Sequence, residues 1–92
     1  MNEDICRAIR EKRRIRFRYN GKQRFVEPQC CGVGAKGTEL LRAYQLTGGA
    51  QPEPLFDMSK VVDLVILGET FERPGPHYKR DDSAMVRIFC QL

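Results

Sequence analysis

The sequence has one histidine, no long apolar run and no pair of cysteines at C-x-x-C spacing. A bilayer-spanning helix needs roughly 20 apolar residues, so we expect no membrane segment. The N-terminal segment, with Glu3 and Asp4, is acidic and lacks the apolar core of a secretory signal, which predicts a cytoplasmic protein. Because His77 has no partner at metal-ligand spacing, a zinc site is not expected.

The four cysteines are predicted to be free thiols, buried or half-buried, as is usual in the cytosol: Cys6, Cys30, Cys31 and Cys90. No serine, histidine and acidic residue have the spacing of a catalytic triad, and no pair of carboxylates lies in an apolar stretch of sequence. Asp81-Asp82 is interpreted as a loop or helix-capping pair. We therefore expect a protein that is not an enzyme and has no cofactor.

A phosphate cradle is also not expected. The glycines between Cys31 and Gly37 surround Lys36, but neither a Gly-Lys-Ser/Thr ending nor a helix pattern follows them. They predict a flexible connection between strands.

Charge is distributed unevenly along the chain. Its 92 residues, 41% hydrophobic and 30% charged, predict a single globular domain over 1–92. Residues 1–42 carry a net charge of +6 and residues 43–92 a net charge of −2, which together give the overall +4. Eight of the eleven cationic side chains in the first part are arginines, which suit bidentate phosphate contacts. A solvated basic face is the plainer interpretation, and the charge alone favours neither.

A helix is predicted over about 3–13, capped by Asn2 or Asp4, because Ile5, Ala8 and Ile9 form one apolar stripe. A hairpin follows. Its first strand, 14–19, alternates apolar residues with arginines, and Asn20-Gly21 is a strong turn signal.

The return strand of this hairpin covers 23–28. The sequence leaves open whether the turn has two or three residues. It therefore leaves open which of Arg24 and Phe25 shares the face of Phe17.

Further strands are predicted over 38–47, 55–58 and 61–67, and the irregular extension 69–92 ends in a segment, 84–92, that is either strand or helix, with strand favoured. The chain is thus mainly β, with about five antiparallel strands over 14–68. A sheet of this size hides its edges best by curling into a small barrel, with the helix plugging one open end.

The third strand carries the most informative pair of residues. At a period of two, Arg42 and Tyr44 project from one face and Leu41 and Ala43 from the other. A guanidinium beside a phenol ring can hold an anionic, flat-faced ligand. The alternative is an arginine packed along a half-buried tyrosine.

The order of these signals resembles the WYL domain, a bacterial module with an SH3-like or Sm-like barrel. The resemblance covers about Ile5 to Phe71 and rests on a basic-ended helix followed by four motifs: Ile15-x-Phe17-x-Tyr19, Arg24-Phe25-Val26-Glu27-Pro28, Leu41-Arg42-Ala43-Tyr44-Gln45 and Phe56-Asp57-Met58-Ser59-Lys60-Val61. The sequence departs from the family in two places. The Trp-Tyr-Leu signature falls on Ala43-Tyr44-Gln45, and Lys60 stands where an arginine is usual.

The resemblance implies a stand-alone, diverged member of a family of transcription regulators, without the winged-helix domain that often precedes the module. It also implies a ligand-sensing or nucleic-acid-binding role through a basic pocket formed by Arg42, Tyr44 and Lys60, with Arg24 as a further candidate. Arg16 and Arg18 would add non-specific attraction, or would simply form a solvated strand face.

The expected partner is single-stranded DNA or RNA, or a nucleotide, with Tyr19 or Phe17 as additional stacking residues. The alternative is a protein–protein adaptor or homodimer that docks through a sheet edge or through the apolar tail around Phe89.

Overall fold

The computed structural model of the protein describes the backbone of residues 2–92 and the side chains of residues 3–92. It contains a helix α1 and six antiparallel strands in one sheet: α1 (Asn2–Arg10), β1 (Arg13–Tyr19), β2 (Lys22–Val33), β3 (Glu39–Thr47), β4 (Leu55–Asp57), β5 (Val62–Thr70) and β6 (Arg87–Gln91). A single 3-10 turn, Met58–Lys60, separates β4 from β5. The mainly β class with one short N-terminal helix is confirmed. Among the described residues no helix is both long and apolar enough to cross a membrane.

Helix α1 ends earlier than predicted. Lys12 has a φ of 51°, in the left-handed region, and a residue in that conformation commonly ends a helix. The predicted apolar stripe is confirmed, because Ile5, Ala8 and Ile9 are at most 1% exposed. The predicted cap at Asn2 lies outside the described side chains, and Asp4 lies inside the helix.

The sheet has the order β4-β3-β2-β1-β5, and β6 pairs with the far end of β2. Strand β2 is longer than predicted: it continues through Pro28 and the two vicinal cysteines as far as Val33. Its near half pairs with β1, and its last four residues pair with β6. The pairing register with β3 shifts between Pro28 and Cys30, so a bulge at Gln29 locally bends the strand.

The predicted flexible connection from Cys31 is therefore wrong over Cys31–Val33, which are strand residues. The tail is confirmed as a strand, although a shorter one than 84–92. The sheet does not close, because its outer strands β4 and β5 are not paired with each other.

The core lies between α1 and the inner face of the sheet. Every strand from β1 to β4, or the 3-10 turn that follows, contributes to it: Ile15, Phe17, Val26, Cys31, Leu41, Ala43, Phe56 and Met58. Phe17 is fully buried, so the expectation that it could stack on a ligand is wrong.

Two of the predicted free thiols are joined. Cys6 in α1 and Cys90 in β6 form a disulfide across 84 residues, with their Cα atoms 5.6 Å apart. Cys30 and Cys31 are free and buried. Periodicity along the chain could not reveal the pair, because only the docking of α1 against β6 brings the two ends together.

Candidate anion-binding site

The hairpin turn decides where Arg24 points. Tyr19 pairs with Lys22, so the turn has two residues, and both Asn20 (φ 51°) and Gly21 (φ 76°) have the positive φ that a type I′ turn requires. This register sets Arg24 opposite Phe17. Directly opposed residues of an antiparallel pair share a face, so Arg24 lies on the core side of the sheet.

Arg24 packs against aromatic rings at the end of this core. Its guanidinium carbon lies 5.5 Å from the centre of the Tyr19 ring and 5.8 Å from that of Phe56. The two rings meet edge to face, with centroids 4.9 Å apart. Stacking on aromatic rings is favourable for a cation, but it leaves the positive charge uncompensated.

The polar partners of Arg24 are all neutral. Nη1 donates to Oε1 of Gln45 at 3.1 Å, and Nη2 donates to the carbonyl oxygen of Tyr19 at 3.3 Å. Nε is buried and has no hydrogen-bond partner. None of the ion pairs among the described residues includes Arg24. A half-buried guanidinium without a carboxylate partner is a site where an external anion can supply the counter-charge.

A hollow of about 430 Å³ opens beside this guanidinium. We call it the Arg24 hollow; none of its described lining residues is acidic, and they include Tyr19, Lys22, Arg24, Gln45, Gly48, Gly49 and Phe56. Lys22 adds a second positive charge. The hollow is therefore a positively charged concavity with an aromatic wall, which suits a phosphate attached to a flat ring.

One glycine shapes this hollow. Gly48 has a φ of 115°, which side-chain-bearing residues rarely adopt. A β-carbon at Gly48 would lie 2.6 Å from Cδ of Arg24 and would also meet the carbonyl oxygen of Gln23. The backbone after β3 can thus close over the Arg24 side chain only because this position is glycine.

Arg42, the first sequence-predicted site residue, has a carboxylate partner. Its Nε donates to Oδ2 of Asp82 at 2.7 Å, and its Nη2 donates to Oδ1 of the same residue at 3.4 Å. Its Nη1 donates to the carbonyl oxygen of Glu53 at 3.1 Å. Burial alone would raise the pKa of Asp82, but the hydrogen bonds from Arg42 and from the amide of Ala84 outweigh burial and lower it. The charge of Arg42 is neutralised within the chain.

The predicted pocket of Arg42, Tyr44, Lys60 and Arg24 does not form as one site. Arg42 and Tyr44 share the outer face of β3, as the alternation predicts, and both are half-buried. Lys60 is exposed at the end of the 3-10 turn and lines neither the Arg24 hollow nor the hollow beside Arg42. Those two hollows share no lining residue, so the structure separates Arg24 from Arg42.

Arg16 and Arg18 lie on the outer face of the hairpin. Arg16 pairs with Phe25 and Arg18 with Gln23, so both point away from the core face that holds Arg24. Arg18 is exposed and Arg16 is half-buried. Neither lines the Arg24 hollow, and for Arg18 the placement matches a solvated strand face.

Sequence reasoning missed two residues that matter here. Phe56 forms part of the aromatic wall, and Asp82 forms the ion pair with Arg42. The two-residue reading of Asn20-Gly21 was the available signal for the orientation of Arg24, but no local pattern connects β1 to Phe56 or β3 to Asp82.

The free thiols do not form a reactive site. Burial, together with the nearby carboxylate of Asp82, raises the pKa of Cys30 to about 11. Burial likewise raises the pKa of Cys31 to about 12. Both thiols therefore stay protonated near neutral pH. The side chains of residues 3–92 include no group of three or more placed to hold a metal ion.

Comparison of the chain with protein-family models, with curated proteins and with solved structures finds no match.

Proposed function

We propose that this protein is a non-catalytic binding module that takes single-stranded nucleic acid or a nucleotide into the Arg24 hollow. The observation that carries the proposal is the state of Arg24. Its guanidinium stacks on Tyr19, lacks a carboxylate partner and keeps a buried Nε–H unused. A phosphate in the hollow would supply the counter-charge that Arg24 lacks.

The ligand class follows from the two kinds of wall. Arg24 and Lys22 attract phosphate, while the half-buried ring of Tyr19 offers contact area to a base. Nucleotides and single strands share this chemistry, because both present a flat ring next to an anionic group. A duplex hides its bases inside the stack and would use only the charge.

The WYL resemblance supplies the finer description of the fold and context. We propose an SH3-like or Sm-like barrel that is incompletely closed, in a cytoplasmic, ligand-sensing regulator of bacterial type. The strand order β4-β3-β2-β1-β5 with one N-terminal helix supports the fold part of this description. Within this fold we propose Arg24 as the binding position, in place of Arg42, Tyr44 and Lys60, which the resemblance implied. The high pKa values of the free thiols support a module without catalysis.

Fluorescence anisotropy of a labelled oligothymidylate tests the proposal. Arg24→Gln is compared with Arg18→Gln, a matched control that removes the same charge from the exposed face of the same hairpin. We expect Arg24→Gln to weaken binding at least about tenfold, as loss of a charge-assisted contact does, and Arg18→Gln to weaken it less than about twofold. A mononucleotide competitor shows whether one nucleotide suffices.

Salt dependence provides an independent readout. Each phosphate contact with a single strand contributes about 0.7 to the slope of log affinity against log salt, so Arg24→Gln should flatten that slope by about 0.7. Equal affinities and equal slopes for the two variants would refute binding at the Arg24 hollow.

The second candidate function is a protein–protein adaptor or homodimer. It is favoured by two exposed apolar side chains: Val86, just before β6, is 70% exposed, and Phe89 in β6 is 37% exposed. Light scattering distinguishes the two functions. A dimer that forms without nucleic acid and dissociates in Phe89→Ser would support the adaptor, whereas a monomer that binds oligothymidylate would support the first proposal.

A further inference from the structure

The chain covers its own Arg42 face with the segment between β5 and β6, which we call loop 71–86. Asp82 of this loop forms the bidentate contact with Arg42. Gly75 lies against the ring of Tyr44, since a β-carbon there would come within 2.8 Å of its Cδ1. The amide of His77 donates to Oε2 of Glu53 at 2.7 Å. A carboxylate of the chain thus occupies the guanidinium fork where a phosphate would bind.

Loop 71–86 is tied to the end of β6. The carbonyl oxygen of Leu92 accepts from the hydroxyl of Tyr78 at 2.7 Å and from Nη1 of Arg80 at 2.6 Å. Gln91 exchanges two hydrogen bonds with Asp81, the residue next to Asp82. These bonds connect the part of the loop next to Asp82 to Gln91 and Leu92.

The end of β6 is in turn held by the Cys6–Cys90 disulfide. β6 also pairs with β2, and the amide of Leu92 donates to the carbonyl oxygen of Gln29, so the covalent link to α1 is one of the restraints on Gln91 and Leu92. Cys6 lines an open hollow of about 510 Å³ together with Arg7 and Arg10. Cys6 is half-buried, so its end of the disulfide lies near solvent.

We propose that the Cys6–Cys90 disulfide is a redox latch that keeps loop 71–86 seated on Arg42. A dithiol reductant attacks Sγ of Cys6, and Cys90 leaves as a thiolate that takes up a proton. The second thiol of the reductant then resolves the mixed disulfide, so that the reductant becomes a disulfide and Cys6 a thiol. Two electrons and two protons are transferred in total, and Cys90 is no longer tied to α1.

Release of β6 frees loop 71–86, and Arg42 and Tyr44 become a second contact for the ligand. In the cytoplasm proposed above, disulfides are usually transient or redox-sensing, which is the behaviour a latch requires. This inference rests on the proposed function only for the kind of ligand that Arg42 would meet.

Hydrogen exchange measures the latch without any ligand. The amides of Gly75, His77 and Asp81 each donate to a side-chain acceptor that holds the loop in place. We expect dithiothreitol to speed their exchange at least about tenfold, while amides of the β1–β2 ladder change less than about twofold. Cys90→Ser should show fast exchange with or without dithiothreitol. Unchanged exchange of the loop amides on reduction would overturn the latch.

Oligothymidylate binding in an Arg24→Gln background isolates the second contact. Reduction should raise the affinity of this variant at least about fivefold, and adding Arg42→Gln should remove the gain. Asp82→Asn should reproduce the gain without reductant. A wild type that binds while Arg24→Gln gains nothing on reduction refutes the latch and leaves the proposed function standing. Binding that appears only on reduction and requires Arg42 refutes the Arg24 proposal and supports the latch.

Discussion

Arg24 and Arg42 are the same residue type on neighbouring strands of one sheet, yet their surroundings differ. Arg42 grips a carboxylate of its own chain, at 2.7 and 3.4 Å. Arg24 has neutral partners, an aromatic wall and an unused buried donor. The difference teaches that an arginine by itself does not indicate an anion-binding site. The arginine can bind an external anion only where the fold has not already paired it with a carboxylate.

Within this comparison, we expect the largest effect on stability from the Cys6–Cys90 disulfide. Replacing both Cys6 and Cys90 by serine removes a cross-link that closes an 84-residue loop. We expect the free energy of unfolding to fall by about 2–4 kcal/mol, because the unfolded chain regains the entropy that the cross-link removed. Urea unfolding monitored by circular dichroism measures this loss.

Thiol counting is the control for the disulfide variant. Unfolded wild-type protein without reductant should expose two reactive thiols, those of Cys30 and Cys31, and four after reduction. Four reactive thiols before reduction would show that the Cys6–Cys90 disulfide does not exist.

We expect the next-largest effect from replacing each arginine, because the two replacements should lower the free energy of unfolding by different amounts. Arg42→Gln leaves the side chain of Asp82, only 11% exposed, without its ion-pair partner. We expect it to cost about 1–3 kcal/mol, the penalty for an unsatisfied buried polar group. Arg24→Gln removes no ion pair and should cost about 1 kcal/mol or less, mainly its cation–π contact. Thermal unfolding of the two variants compares them directly, and a larger loss for Arg24→Gln would reverse the roles assigned here.

The smallest expected effect is the acid dependence of the Arg42 contact. The pKa of Asp82 lies below its ordinary value of 3.8 in the folded protein. Its stabilising contribution is therefore fully present above pH 3.8 and is lost as the pH falls through the lowered pKa. The difference in melting temperature between wild type and Asp82→Asn should be constant from pH 7 to pH 5 and should narrow towards pH 3. A difference that stays constant to pH 3 would show that the ionised carboxylate does not stabilise the fold.

The sequence contained the information for local structure. Alternation from Ile15 to Tyr19 with the turn signal Asn20-Gly21 predicts the hairpin, and the period of two in β3 predicts that Arg42 and Tyr44 share a face. Both patterns arise between residues that are neighbours along the chain or across a tight turn. The fold class followed from several such segments in a row.

The contacts that decide the site join distant residues. Arg42 and Asp82 are 40 positions apart, and no periodicity connects a strand residue to a carboxylate in an irregular loop. The disulfide spans 84 positions and was missed for the same reason. The orientation of Arg24 was nearly within reach, because it depends on a single choice between a two-residue and a three-residue turn.

The most direct test of the comparison follows the two guanidinium Nε–H groups by NMR in the oxidised protein during titration with oligothymidylate. Each Nε–H resonance is assigned from the Arg24→Gln and Arg42→Gln variants. The Arg24 resonance should shift because a phosphate in the hollow changes the electrostatic environment of its guanidinium, and the Arg42 resonance should stay in place because Asp82 already holds it. A shift of the Arg42 resonance with an unmoved Arg24 resonance would contradict the account.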